Sequence, residues 1–236
     1  MNLEANLQQV RAEYLRRLTA AVGSQPLPVS ATDCGSTLTA LLSRTGKMLR
    51  PRLLLAAAAT LGEETLNSRR TLLLAVAVEM LHNASILHDD VIDNDLQRRG
   101  QPSVNARFGN PTAVLLGDYL LAQIMALLNE IDDRDATRRI NQTVISMVQA
   151  ELLQLNTSHL TLTTYQQVID GKTARLFATA CALGNPAYEQ FGLHYGRLFQ
   201  LRDDLADGEP TPWTQQLIEQ EQTALAAINP TLSIQI

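Results

Sequence analysis

Two aspartate clusters with one shared spacing are the residues best suited to chemistry in this sequence. Each reads Asp-Asp-x-x-Asp, and the six members are Asp89, Asp90, Asp93, Asp203, Asp204 and Asp207. On a helix, the first and last Asp of each cluster lie above one another, where like charges repel. Apolar residues flank both clusters, so partly buried carboxylates there need cations. Oxygen ligands without Cys or His suit a hard divalent ion, Mg²⁺ above others, which commonly bridges carboxylates to substrate phosphates.

The alternative for a single cluster is a solvated helix face or a charged helix end. Asp132-Asp133-Arg-Asp135 is equally acidic, but its spacing differs and it lies at a predicted helix junction, where capping explains it. Two copies of one spacing, both in helical and apolar sequence, favour a metal site over this alternative.

Three short cationic motifs accompany the aspartates, and they contain the only two lysines of the chain, Lys47 and Lys172. The motifs are Gly46-Lys-Met-Leu-Arg-Pro51, Arg98-Arg99-Gly100 and Gly171-Lys-Thr173. In the first, two cationic side chains and backbone N–H groups near a helix start can address one anion. We expect the second to end the helix that carries the first aspartate cluster. Each motif alone is explained by a surface charge or a cap, whereas together they point to polyanionic substrates.

The composition predicts one large core and restricts the partners. Of 236 residues, 45% are apolar but only 4% aromatic, so Ala, Leu, Val and Ile must fill that core. A net charge of −5 argues against nucleic acid as the main partner. Cys34 and Cys181 lie far apart and outside any C-x-x-C pair, which favours a reduced, intracellular protein. Because we find neither a leader pattern nor an uninterrupted apolar span, we expect a soluble cytoplasmic protein without a membrane span.

Apolar residues recur at spacings of three and four through most of the chain, the pattern of amphipathic helices. The predicted helices span residues 3–21, 36–44, 50–62, 66–96, 112–130, 136–157, 164–183, 187–207 and 213–228. No hairpin dipeptide lies between two alternating apolar runs, and no repeat of fixed period is present. We therefore predict the all-α class, as a single domain over residues 1–236 with a short C-terminal region after residue 208.

Five segments together resemble the all-trans polyprenyl (isoprenyl) diphosphate synthase family, of the medium- or long-chain type. The strings from Leu87 to Asn105 and from Phe199 to Asp207 are similar to its two aspartate-rich regions. The segments 46–51, 117–120 and 171–173 follow in the family's order, so the resemblance runs from about residue 40 to residue 208.

The resemblance implies a bundle of mostly antiparallel helices around a central cavity. It also implies a Mg²⁺-dependent prenyltransferase that condenses isopentenyl diphosphate head-to-tail with an allylic diphosphate. The six aspartates would hold several Mg²⁺ ions that grip the allylic diphosphate. The other implied site residues are Lys47, Arg50, His82 and Arg99 for isopentenyl diphosphate, and Arg98, Lys172 and Gln200 for the allylic partner, with Thr173 beside the reacting carbon. Among these, Lys172 and Thr173 are expected to act with the aspartates in catalysis. The resemblance further implies a homodimer, and it is compatible with product release at a membrane surface.

Product length should be set one helical turn before the first aspartate cluster. The residues there are Ala84 and Ser85, which are both small. A prenyl chain growing from Asp89 would run back along this helix, which advances about 5.4 Å per turn, comparable to one isoprene unit. In the family, bulky aromatic residues at these two positions accompany short products, so a medium or long all-trans product is expected. The alternative is that both residues are small only to let two helices pack closely.

The chain departs from the family's pattern after the second aspartate cluster. Family members carry further basic residues there, whereas residues 208–236 contain no Lys or Arg. Three alternatives follow from this departure: other groups close the site, the chain is a weak catalyst, or it is a non-catalytic or regulatory subunit of a heteromeric prenyl synthase. A terpene cyclase is disfavoured because its second metal motif mixes Asp or Asn with Ser/Thr and Glu.

Overall fold

Helices make up nearly all of the regular structure. The computed structural model of the chain describes residues 2–22, 46–98 and 100–228. The helices within these ranges are α1 (Leu3–Val22), α2 (Leu49–Ala59), α3 (Glu63–Leu66), α4 (Arg69–Ile92), α5 (Val104–Phe108), α6 (Asn110–Ile131), α7 (Arg134–Leu155), α8 (Leu162–Ile169), α9 (Arg175–Gly184), α10 (Glu189–Ala206) and α11 (Thr214–Ala227). The prediction of an all-α protein is confirmed, whereas the helix predicted at 36–44, Cys34 and Arg99 lie outside the described residues.

Four short elements interrupt the helical pattern within the described residues. A π-helical turn, Asp170–Ala174, joins α8 to α9, and a 3-10 turn, Pro186–Tyr188, precedes α10. Two strands of two residues each, β1 (Gln97–Arg98) and β2 (Gln101–Pro102), pair antiparallel after α4. The π-helical turn contains the Gly-Lys-Thr motif, and such turns are frequent at functional sites.

The end of α4 differs from the prediction. We predicted a helix to residue 96, closed by Arg98-Arg99-Gly100, but α4 ends at Ile92 and Arg98 lies on β1. The helix stops because Asn94 adopts a left-handed conformation, with φ of 56°. The helix predicted over 50–62 likewise ends early, at Ala59.

The acidic segment between α6 and α7 caps a helix, as the sequence predicts. The side chain of Asp133 accepts hydrogen bonds from the backbone N–H groups of Asp135 and Ala136, at 2.9 and 3.1 Å. The hydrogen bond from Ala136 is the largest of the effects that lower the pKa of Asp133. This segment therefore satisfies the open N–H groups at the start of α7.

The described residues form two compact units. The first unit comprises residues 2–22, 46–51, 72–98 and 100–132, and its core includes the fully buried side chains Tyr14 of α1, Met80 of α4 and Leu120 of α6. An ion pair between Arg17 Nη2 and Glu130 Oε2, at 2.6 Å, joins α1 to α6. This unit carries the first aspartate motif.

The second unit comprises residues 52–71 and 133–228 and carries the second aspartate motif. Within it, α9 packs against α10, α10 against α11, and the π-helical turn against both α7 and α10. Gly171 permits the approach to α7, since a Cβ there would be 2.6 Å from Ala150 Cβ and 2.8 Å from the carbonyl oxygen of Ser146. The prediction of one domain over the whole chain stays a prediction.

Within the part of the chain that the structure describes, two helices, α4 and α6, are long and apolar enough to cross a membrane by length and composition alone. A helix in the core of a protein passes the same test, and 67% of the apolar window of α4 is buried. The corresponding fraction for α6 is 33%. Our prediction that the chain has no membrane span stays a prediction.

Candidate functional site

Both aspartate motifs lie at the carboxyl end of a long helix, α4 or α10. In the first motif the amide of Asp93 donates to the carbonyl oxygen of Asp89 at 2.8 Å. In the second, the amide of Asp207 donates to the carbonyl oxygen of Asp203 at 2.9 Å. The helical register thus continues through the last Asp of each motif, and the first and last carboxylates of each share one face.

The two motifs also end in the same backbone closure. The next residue, Asn94 or Gly208, has a positive φ of 56° or 78°. The amide that follows it then donates to the carbonyl oxygen of the motif's second Asp, at 2.9 Å in the first motif and 2.8 Å in the second. The carboxyl end of a helix carries partial negative charge, so three aspartates there destabilise the helix and attract cations. Because both motifs share a local structure that destabilises its helix, this structure is better explained by a function than by a contribution to stability.

The second Asp of the first motif is buried and ion-paired. Asp90 is only 2% exposed, and its Oδ1 accepts hydrogen bonds from Arg98 Nη2 and, at 2.9 Å, from Arg98 Nε. Asn105 Nδ2 donates to the backbone carbonyl of the same residue at 2.8 Å. Burial raises the pKa of Asp90, and the guanidinium of Arg98 opposes that rise. The hairpin of β1 and β2 therefore places Arg98 against the first motif.

The motif at residues 117–120 packs against α4 beside the first aspartate. His88 Nε2 lies 3.2 Å from the carbonyl oxygen of Val114 and 3.5 Å from Asp118 Oδ1. The ring covers Gly117, where a Cβ would be 2.2 Å from His88 Nε2. Glycine is thus required there for α6 to pack against this histidine.

The residues predicted for isopentenyl diphosphate that the structure describes belong to the first unit. Lys47 is exposed just before α2, and Arg50 is half-buried in the first turn of that helix. His82 is half-buried on α4, seven residues before Asp89 and therefore on the same face, about 10 Å away along the helix axis. Arg99 lies outside the described residues.

Three side chains form a hydrogen-bonded chain that ends at the second motif. Thr173 Oγ1 in the π-helical turn donates to Gln200 Oε1 of α10 at 2.6 Å. Gln200 Nε2 in turn donates to Asp204 Oδ1 at 2.7 Å, and Tyr165 OH of α8 donates to Asp204 Oδ2. Thr173 thus contacts Gln200, and Gln200 contacts Asp204, so two segments that the sequence analysis singled out separately meet here.

Lys172 is ion-paired through a residue that no sequence motif indicates. Its Nζ lies 2.7 Å from Glu151 Oε2 and donates to Gln154 Oε1 at 3.3 Å, both on α7. Glu151 is 9% exposed whereas the Lys172 side chain is 26% exposed, so water is excluded mainly from the carboxylate side of this ion pair. Neither Glu151 nor Tyr165 could be found from local spacing, because their partners lie far away along the chain.

The two residues predicted to set product length differ in their surroundings. Ala84 is 1% exposed, whereas Ser85 is half-buried and its Oγ donates to the carbonyl oxygen of His82 at 2.9 Å. Substitution at Ser85 therefore disturbs the core less than substitution at Ala84.

The fit of the aspartates to a divalent ion rests on the chemistry of their donors. Within the described ranges, no group of three or more His, Cys, Asp or Glu side chains is gathered closely enough to hold a metal by itself. The last aspartates, Asp93 and Asp207, are exposed and lie one turn after another carboxylate on the same face. Such sparse oxygen ligands fit an ion that keeps waters and binds substrate phosphates at its other positions.

Comparison with known proteins identifies the family. The family model described as polyprenyl synthetase matches residues 33–216. An all-trans-nonaprenyl-diphosphate synthase (geranyl-diphosphate specific) from Rhodobacter capsulatus is 39% identical over 174 residues, which cover 69% of this chain and 53% of that protein.

Two solved structures are similar both in fold and in sequence. A decaprenyl diphosphate synthase from Rhodobacter capsulatus matches with a TM-score of 0.71 and 32% identity, over 87% of this chain and 66% of that one. A polyprenyl synthase from Caulobacter crescentus CB15, solved with calcium and isoprenyl diphosphate, matches with a TM-score of 0.73 and 31% identity, over 85% of this chain and 62% of that one.

These relatives are synthases, and they do not favour the hypothesis of a non-catalytic subunit. The chain spans about half the length of the nonaprenyl synthase that it matches. The match of the family model covers most of the chain and includes both aspartate motifs. The chain therefore belongs to the polyprenyl synthetase family.

Proposed function

We propose that this chain carries out a Mg²⁺-dependent condensation of isopentenyl diphosphate, head-to-tail, with an allylic diphosphate. The observation that carries this proposal is the pair of aspartate motifs with one helix-end closure, the second in contact with Gln200 and, through it, Thr173. Membership of the polyprenyl synthetase family supports the reaction class.

The bond changes require charge stabilisation and exclusion of water rather than a protein nucleophile. The allylic C–O bond breaks with both electrons leaving on the diphosphate, and the double bond of isopentenyl diphosphate then attacks the allylic carbon. A proton lost from the new cation goes to the released pyrophosphate or to a nearby base, which restores a double bond. When bound, Mg²⁺ supplies charge neutralisation at the departing oxygens.

The residues of this chain divide that work between binding and orientation. Lys47, Arg50, His82 and Arg99 bind isopentenyl diphosphate in this proposal, and Arg98, Lys172 and Gln200 bind the allylic diphosphate. The six aspartates hold the metal ions, and Thr173 lies beside the reacting carbon. The hydrogen bonds from Thr173 to Gln200 and from Gln200 to Asp204 support preorganised positions for these three residues.

We propose a medium or long all-trans product. The Rhodobacter capsulatus relative is named for an all-trans-nonaprenyl product, which supports this class. The absence of aromatic side chains at Ala84 and Ser85, and along the preceding turns at Leu81, Val78 and Ala77, supports it as well. We further propose a cytoplasmic location, with product released at a membrane surface.

A homodimer is proposed from an apolar face on α7. Ile145, Val148, Leu152 and Leu155 are each 53–57% exposed and follow one another at spacings of three and four, so they form one stripe. Contiguous exposed apolar stripes of this kind mark interaction surfaces. A second copy of the chain would cover this stripe. Light scattering after gel filtration should give twice the chain mass, and Val148→Glu should give a monomer; a monomeric wild-type chain would contradict the proposal.

The activity is tested by incubating the purified chain with Mg²⁺, isopentenyl diphosphate and allylic diphosphates of 10, 15 and 20 carbons. We expect dephosphorylated products longer than each starter by multiples of five carbons. Homogeneous protein that gives no product over long times with any of the starters would overturn the proposal.

A further inference from the structure

Tyr165 is a buried side chain whose hydroxyl reaches the second aspartate motif. The residue lies in the first turn of α8 and is 6% exposed. Its ring packs into an apolar cluster built from α8, α10 and α11. The other buried members are Ile169, Leu198, Leu201, Leu217 and Ile218. Core packing therefore fixes the position of the hydroxyl before any ligand arrives.

The Tyr165 hydroxyl is one of two donors that bind the two oxygens of the Asp204 carboxylate. Tyr165 OH donates to Asp204 Oδ2, while Gln200 Nε2 donates to Asp204 Oδ1 at 2.7 Å. The two donors come from different elements, α8 and α10, so the carboxylate cannot rotate without breaking one of these hydrogen bonds. Each carboxylate oxygen can accept about two hydrogen bonds or ligands, so both keep capacity for a cation.

The hydroxyl also lies near the start of α11. The hydroxyl groups of Thr211 and Thr214 are close to it and lie 3.0 Å from each other. A phenol is protonated at neutral pH, so the Tyr165 hydroxyl remains a donor to the carboxylate.

We propose that Tyr165 is a positioning residue that holds the Asp204 carboxylate in the orientation used by the second aspartate motif. The inference rests on the proposed function for the identity of the ligands, a divalent ion and a diphosphate. The buried ring carries the orientation, and the hydroxyl transmits it to Asp204. No local motif marks this tyrosine, because its partner lies 39 positions later in the chain.

The matched variants are Tyr165→Phe and Tyr188→Phe in the full chain. The first removes the hydroxyl but keeps the buried ring, so the helical core is retained. The second removes a hydroxyl from a half-buried tyrosine in the 3-10 turn before α10. Both variants should melt within a few degrees of the wild type in circular dichroism, which separates positioning from folding.

The readout is binding of Mn²⁺ in the presence of inorganic pyrophosphate, followed by the paramagnetic resonance of free Mn²⁺. We expect Tyr165→Phe to weaken Mn²⁺ binding about three- to tenfold, because Asp204 must then be ordered when the ion binds. Tyr188→Phe should match the wild type. In the Asp204→Asn background, Tyr165→Phe should cause no further loss.

Two outcomes would overturn the proposal. One is unchanged Mn²⁺ binding in Tyr165→Phe, and the other is the same loss with and without Asp204. Prenyl product formation is measured separately on the wild type. If Tyr165→Phe weakens Mn²⁺ binding but the wild type forms no product, the role of Tyr165 is supported and the proposed reaction is rejected. If the wild type forms product but Tyr165→Phe binds Mn²⁺ as the wild type does, the reaction is supported and the role of Tyr165 is rejected.

Discussion

The ring of His88 lies on Gly117, and a Cβ at that glycine would be 2.2 Å from His88 Nε2. We therefore expect Gly117→Ala to displace the ring and to lower the free energy of unfolding by about 1–3 kcal/mol, the usual effect of overpacking. Urea denaturation measures the loss. Because the clash needs both side chains, the double variant His88→Ala/Gly117→Ala should lose less than the sum of the two single variants. Additive losses would show that the contact is not the reason for the glycine.

Acid should weaken the first unit through Glu13. Hydrogen bonds from Arg16 and Arg17, each at 2.7 Å, lower the pKa of Glu13 from 4.5 to about 2. A carboxyl group whose pKa is lower in the folded state stabilises the fold above its unfolded pKa, and that stabilisation is lost as the pH falls toward the folded pKa.

We therefore expect Glu13→Gln to lower the free energy of unfolding by about 1 kcal/mol at pH 6. The difference from the wild type should shrink between about pH 4.5 and pH 2. Urea denaturation at pH 6 and pH 3 measures it, with the exposed Glu64→Gln as the control. A difference that grows with acidity would contradict the assigned pKa direction.

Turnover in the proposed reaction should depend on both aspartate motifs. Asp89→Asn and Asp203→Asn should each reduce turnover by at least about 10², and the double variant should lose far less than the product of the two. Asp132→Asn, in the capping segment, is the matched control and should keep near wild-type turnover. Lys47→Ala should instead raise KM for isopentenyl diphosphate. If Asp89→Asn, Asp203→Asn and Lys47→Ala all changed the apparent affinities of both substrates equally, the separate roles of the aspartates and Lys47 would be contradicted.

Product length should respond to Ser85. Ser85→Phe should shorten the longest product while leaving the first condensation largely intact, since the ring would occupy the face that the growing chain follows. Ser85→Ala is the control, because it removes only the hydrogen bond to the His82 carbonyl oxygen. Ala84→Phe is less informative, because overpacking a residue that is 1% exposed should also destabilise the fold. Chromatography of the dephosphorylated products measures their length. An unchanged length distribution in Ser85→Phe would show that the growing prenyl chain does not follow this face of the helix.

The long helices and the polar motifs could be predicted from local patterns in the sequence. The spacing of apolar residues predicted the long helices but not the five-residue α5, and the capping role of the acidic segment at residues 132–135 followed from the predicted helix junction there. The repeated Asp-Asp-x-x-Asp spacing likewise singled out both motifs, whose helix-end closures the structure shows to be alike.

Features that depend on distant residues could not be predicted in this way. Arg98 lies on the hairpin of β1 and β2 and pairs with Asp90, a buried residue of the preceding helix. Strands of two residues are too short to show an alternating apolar pattern, so the sequence does not predict this hairpin. The contacts of Tyr165 with Asp204 and of Glu151 with Lys172 depend on how helices pack, which single-residue spacing does not encode.

The most direct test of the proposed condensation counts its two products together. Limiting farnesyl diphosphate, labelled isopentenyl diphosphate and an excess of the wild-type chain are mixed with Mg²⁺ and quenched over time. We predict one pyrophosphate released for every new carbon–carbon bond, and neither product when a chelator removes the Mg²⁺. Pyrophosphate released without carbon–carbon bond formation, or no release at all, would contradict the proposed function.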